Sequence, residues 1–232
     1  MRSKKKLLLA ILGLSIATSC SLFAVDHKEG GYAQNDGNGN DTTVYNFLKH
    51  FNYEQYYWTV KSHWTTNNNN RIDAMNFAIF SGHGNQWLIS PTDGNVDLST
   101  AGSSSHGGYG DTNLNFVAFH SCLTIPSPIE VGNNWDTNWI KTGGIFDGLH
   151  QAVGYRTTSY FSTDQDITDF FGARIAAGYT VWQSWFDAIN ARGLSSEKGS
   201  AVMHPTTVND TYANFVADPP VNHQDLSIWY QN

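Results

Sequence analysis

MNFAIFSGHG (Met75–Gly84) and LNFVAFHSC (Leu114–Cys122) are the two stretches whose reading decides the fold. Each holds a short apolar run, Met75–Phe80 interrupted only by Asn76 and Leu114–Phe119 interrupted only by Asn115, and each stops at small polar residues. Runs of this length bounded by turn residues suit strands buried on both faces, as in a parallel sheet. Working outward, Gln151–Arg156 reads as a third strand behind a helix-compatible stretch, Trp139–Leu149. Ile167, Phe170, Phe171, Ile175 and Ala176 fall at helical spacing, and Gly178 breaks the pattern. Thr180 then caps a second amphipathic stretch through Ala191, with Gly193 as its stop. Upstream, the aromatic-rich Val44–Lys61 reads as helical over at least its first part, and weaker strands at Ala201–His204 and Tyr212–Val216 belong at or near a sheet edge. Strand and helix alternate, which predicts an α/β fold with a mainly parallel sheet flanked by helices.

The chain has 232 residues, 40% of them hydrophobic, enough for one sizeable core and one domain, placed at 42–232. Residues 1–24 read as a secretory signal peptide: Arg2 and Lys4–Lys6 precede the apolar run Leu7–Ala17, which is too short to span a bilayer comfortably. Small residues ending in Cys20 resemble a bacterial lipobox, with cleavage before an acylated Cys20; ordinary cleavage after Ala24 is the alternative. Residues 25–41, rich in Gly, Asn and Asp, read as a flexible tether. Removing the leader leaves 9 basic against 20 acidic side chains, a charge near −11 that disfavours nucleic acid and anionic lipid surfaces as partners. The expected location is therefore the cell surface or periplasm as a lipoprotein, or otherwise secreted.

Outside the leader Cys122 is the lone cysteine, which in an exported protein points to a reactive thiol or an intermolecular bridge, unless it is simply a small buried hydrophobe. In open parallel sheets ligands bind beyond the carboxyl ends of the strands, and His83 and Cys122 each follow such an end. A neighbouring imidazole favours the thiolate and later protonates a leaving amine. Gly84 lets a backbone N–H approach a reacting carbonyl, so the amides of Gly84 and Cys122 are candidates for an oxyanion hole.

A hydrophobic strand ending in SGHG, followed 39 positions after His83 by one ending in SC, resembles the caspase/hemoglobinase-fold (clan CD) cysteine peptidases, legumain, caspases, gingipains and separase among them. GLHQAVGYRTTSYF and FFGARIAAGYTVWQSWFDAIN extend the likeness to about half the chain, closest to an uncharacterised bacterial branch. The resemblance implies a three-layer sandwich, a thiol protease with His83 as catalytic histidine and Cys122 as nucleophile, and a peptide or protein substrate. It implies no organic cofactor; the sequence does not indicate calcium. Pocket walls in this group come from loops after the flanking strands, which nominates Asp111, Arg156, Thr157, Ser159, Asp164 and Asp166: an acidic floor would select a basic side chain, and Arg156 an acidic one.

Two rival readings come from other residues. His83, His106, His120 and Cys122 are zinc-ligand types, but no paired CxxC or HxxxH element accompanies them, so no metal is assigned. Trp87, Trp135, Trp139, Trp182 and Trp185 offer a surface for a glycan or protein, the alternative being a catalytically inactive peptidase-like surface lipoprotein. His150, in the turn before the third strand, reads as structural.

Overall fold

The structure, a computed structural model, describes residues 27–52, 54–140, 143–220 and 225–232. The leader and Cys20 lie outside the described residues. A seven-stranded sheet runs β10-β9-β8-β7-β3-β1-β2. Its strands are β1 (Glu29–Ala33), β2 (Glu54–Trp58), β3 (Phe77–Ser81), β7 (Phe116–His120), β8 (Gln151–Tyr155), β9 (Gly199–Met203) and β10 (Ser227–Tyr230). A small second sheet joins β4 (His83–Asn85), β5 (Leu88–Ser90) and β6 (Val96–Asp97). The pairs from β2 through β8 are parallel, while β9 and β10 add antiparallel at one edge. The fold is thus α/β with a mainly parallel sheet between two layers.

Alternation along each strand divides the core, because successive side chains point to opposite faces. Phe77, Ile79, Phe116, Ala118, Val153 and Tyr155 meet α1 (Asn40–Leu48), α4 (Phe161–Ala176) and α5 (Val181–Arg192). Ala78, Phe80, Val117, Phe119 and Ala152 face the other layer, which consists of 3-10 turns, the small sheet and the short helices α2 (Pro128–Val131) and α3 (Thr137–Ile140). Trp64 anchors that layer: its ring packs against Tyr32, Phe80, Tyr109 and Phe119, and its indole N–H donates to Thr59 Oγ1 at 2.7 Å.

Four expectations are corrected. Within the stretch 25–41 expected as a tether, the described residues 27–41 are no tether, for Glu29–Ala33 forms β1, an interior strand between β2 and β3. Its two glycines are packing residues: a Cβ on Gly30 would stand 2.7 Å from Met75 Cγ, and one on Gly31 2.7 Å from Leu48 Cδ1. The helix expected at Val44–Lys61 starts earlier and ends at Leu48, and β2 follows as an edge strand with Tyr56 and Trp58 outward. Among the described residues of Trp139–Leu149, where a helix is expected, only the end of α3 at Ile140 is helical, and Gly143, at φ 91°, turns the chain. Tyr212–Val216 forms no strand; the sheet edge is β10 instead, where Trp229 stacks on Trp182 with ring centroids 5.0 Å apart.

Candidate active site

The β3–β7 register pairs Ser81 with His120, and the Gly82 amide still donates to the His120 carbonyl at 3.3 Å. Both chains therefore leave the sheet side by side, and His83 and Cys122, two positions beyond that last pair, emerge at its carboxyl edge. β1 lies between β2 and β3, so the chain changes direction of progress across the sheet there, which is where ligands bind in such folds.

His83 is 59% exposed, and its Nε2 lies 3.3 Å from Asp36 Oδ2. The His83 amide donates to Gln34 Oε1 at 2.7 Å. Asp36 is itself fixed: Oδ1 accepts the Asn38 amide at 3.0 Å and Asn40 Nδ2 at 2.8 Å, and Oδ2 accepts Asn38 Nδ2 at 2.9 Å. Asp36 and Gln34 fall in the stretch that composition marks as a tether. The signal that could have found them is Tyr32-Ala33 followed by a Gly/Asn/Asp turn into Asn40, a strand, turn and helix start.

Cys122 is half-buried and its thiol turns to the segment before α4. Ser159 N–H donates to Sγ at 3.4 Å, Ser159 Oγ lies at 3.5 Å, and the Ser159 carbonyl at 3.8 Å. No hydrogen bond joins His83 to Cys122 among the described residues; each meets the same segment instead, since the His83 ring stands edge-on to Phe161 with centroids 6.4 Å apart. Leu123, directly after the thiol, has φ 61°, a left-handed conformation that costs a non-glycine residue about 1–2 kcal/mol and is held here by Leu123 N–H to the Thr157 carbonyl at 2.9 Å. The Cys122 amide has no acceptor among the described residues.

Gly84 lies on Ser121. A Cβ there would stand 2.0 Å from Ser121 Oγ and 2.8 Å from the Leu88 carbonyl, and Ser121 Oγ, fully buried, has no hydrogen-bond partner. Gly84→Ala should therefore cost about 1–3 kcal/mol of stability, as overpacking does, in a denaturant titration; an unchanged midpoint would show that the β3–β4 turn moves aside freely.

Beneath the thiol, on the helix-facing side of β7, is a buried polar group. His120 Nε2 is 3.2 Å from Tyr155 OH and 3.3 Å from Asp164 Oδ1. Burial pushes the His120 imidazole down to about 4. Burial, then the charge of Glu197, pushes the Asp164 carboxyl up to about 7, so this contact is not an ion pair at neutral pH. Glu197 accepts the Tyr160 amide at 3.0 Å, Thr163 Oγ1 at 2.9 Å and the Leu194 amide at 2.6 Å, which pins the segment that holds Ser159.

The charged residues nominated as pocket walls go elsewhere. Asp111 belongs to the opposite, amino edge, beside Asp73, whose carboxylate accepts the Gly110 and Leu114 amides that lead into β7. Arg156 is buried against Glu130 and donates to the Gln231 carbonyl at 2.7 Å; Glu130 is held in turn by its capping box with Ser127. Asp164 is buried as described. Asp166 lies on the outer side of α4, lining a surface pocket of about 390 Å³ with His50, Asp169 and Arg192. Thr157 and Ser159 do stand beside the Cys122 loop. His150 is buried between Asp210 (2.7 Å) and Asp218 (3.1 Å), a tie for the C-terminal segment. Among the described residues no three or more His, Cys, Asp or Glu side chains are arranged to hold a metal ion.

Fold and site together define an α/β domain with an imidazole beside a carboxylate and a thiol at the carboxyl edge of a parallel sheet. The chain belongs to the family described as "Domain of unknown function (DUF6345)", whose model matches residues 17–230. No curated protein matches it. A solved structure titled "Structure of Protease" is 11% identical over 61% of this chain and 31% of that one, with a TM-score of 0.40. This chain spans less than a third of that protein's length, and a likeness of this size assigns no activity.

Proposed function

We propose that the domain is an exported cysteine endopeptidase. The observation that carries this is the convergence of His83 and Cys122 on residues 159–161, with the Asp36 carboxylate 3.3 Å from the imidazole. A base oriented by a third group beside a nucleophile is the arrangement that activates a weak nucleophile, and such contacts tighten when substrate binds. The Cys122 sulfur attacks the peptide carbonyl carbon, and the oxyanion forms against the amides of Cys122 and Gly84. Protonated His83 gives its proton to the leaving amine as the C–N bond breaks, leaving a thioester on Cys122. Water then attacks the thioester carbonyl as His83 takes its proton, and the C–S bond breaks to release the acid and the thiolate. Export follows from the leader pattern, with lipid on Cys20 where the lipobox is used; among the described residues no helix is long and apolar enough to cross a membrane.

The test is cleavage of a diverse peptide library in reducing buffer, beside protein blocked with iodoacetamide. Cleavage lost on blocking supports the reading. Labelling of Cys122 should also slow in His83→Ala, and equal rates would separate the imidazole from the thiol.

One observation favours a second reading. The thiol points to Ser159 rather than His83, as it would in a catalytically inactive scaffold that binds a protein or glycan, and the stacked Trp182–Trp229 pair, with Trp229 half exposed, is a surface for such a partner. Slow iodoacetamide labelling at neutral pH together with no cleavage would select it.

A further inference from the structure

Residues 159–161 cross the gap between the two reacting groups: Ser159 touches the Cys122 sulfur, and two positions on Phe161 meets the His83 ring. A substrate gripped by both groups lies across this segment. Phe161 is 56% exposed and Tyr160 41%, although both stand at the start of α4, whose buried face is Thr163, Asp164, Ile167, Thr168 and Phe171. A single exposed aromatic means little by itself. Here its position is the argument, because it is pinned next to the imidazole by the Glu197 bonds to Tyr160 and Thr163.

The charged residues nominated as pocket walls point the same way. Arg156 is neutralised by Glu130, Asp164 is buried against His120, Asp111 stands at the other edge, and Asp166 faces away on α4. Asp36, the acid that does reach the crevice, is spent on His83, Asn38 and Asn40. We infer that Phe161, with Tyr160 beside it, selects a substrate carrying an aromatic or branched aliphatic side chain next to the bond held by Cys122, in place of the acidic or basic side chain that the strand-end charges suggest. This rests on the peptidase reading for the place of the bond.

Binding of fluorescent peptides to the Cys122→Ala protein, read by anisotropy, tests it without turnover. The peptides are glycine-flanked and differ at one position: Phe, Leu, Lys, Asp or Gly. The Phe and Leu peptides should bind about tenfold more tightly than the others, the discrimination hydrophobic contacts of this size give. Phe161→Ala in the same background should bring all five within about twofold, and Phe161→Leu should restore most of the difference, with thermal unfolding confirming that each variant is folded. Equal binding of all peptides, no binding, preference for Lys or Asp, or discrimination untouched by Phe161→Ala each overturns it. Giving the same peptides to the unsubstituted protein separates the two claims: discrimination without cleavage keeps the selector and removes the peptidase, and cleavage without discrimination does the reverse.

Discussion

On the proposed peptidase reading, peptide cleavage should disappear in Cys122→Ala, and in Asp36→Ala kcat should fall by about 10²- to 10⁴-fold while KM changes little. The first loss is chemical, since no other side chain at the crevice supplies the sulfur that carries the acyl group. The second is one of orientation. Asp36 lies behind the imidazole at 3.3 Å and is held by Asn38 and Asn40, so it fixes the ring with Nε2 toward the carboxylate and leaves Nδ1 for the thiol and the leaving amine. Removing it should free the ring without touching Tyr160 and Phe161, where the proposed peptide would lie, which is why the effect is expected in kcat. Asp36→Glu should recover part of the rate, and His83→Ala should lose at least as much as Asp36→Ala. Steady-state kinetics on one peptide decide the matter. Full activity in Asp36→Ala would mean that another group orients the ring, and activity in Cys122→Ala would remove the thiol from the mechanism.

The two strands that carry this site are legible because they are buried on both faces, so Phe77–Ser81 and Phe116–His120 stand out as unbroken apolar runs ending in polar turns. β1 lies as deep in the sheet but reads EGGYA, and its burial is visible only through what packs on it: Met75 and Leu48 against the glycines, and Glu29 receiving the Tyr212 hydroxyl from 183 positions away. Composition marks such a segment as a linker, and with it the orienting carboxylate is lost. The same limit governs the specificity residues. That Arg156 follows a strand can be read, but not that Glu130 neutralises it, because a side chain's partner is fixed by tertiary packing. Phe161 looks like one more apolar residue at a helix start.

At pH 8, Asp164→Asn should raise the unfolding free energy by about 4 kcal/mol, and at pH 4 it should change it hardly at all. Burial first, and the Glu197 charge second, move this carboxyl from 3.8 to about 7, so the native protein binds its proton more tightly than the unfolded chain does. Below pH 3.8 the group is protonated in both states and costs nothing. As pH rises from 3.8 to 7 stability is lost steadily, and above 7 the loss is complete, at about 1.4 kcal/mol for each tenfold difference in proton affinity between the two states. Asparagine matches the neutral acid in size, and the oxygen facing His120 has no hydrogen bond to lose. His120 has the opposite dependence, since its imidazole is lowered from 6.5 to about 4 and stability is gained as pH rises between those values. That dependence is shared by parent and variant and largely cancels between them. Asp73 supplies the control. Burial, then its hydrogen bond with Asp111, also raises it to about 7, but its oxygens accept the Gly110, Thr112 and Leu114 amides at 2.9–3.1 Å. An amide nitrogen in place of one oxygen takes the acceptor from one of these N–H groups, so Asp73→Asn should destabilise by about 1–3 kcal/mol at pH 4, where Asp164→Asn changes stability hardly at all. Urea titrations followed by tryptophan fluorescence from pH 4 to pH 8 measure both, and a benefit of Asp164→Asn that is the same at the two ends would mean that this carboxyl is not what loses stability as the pH rises.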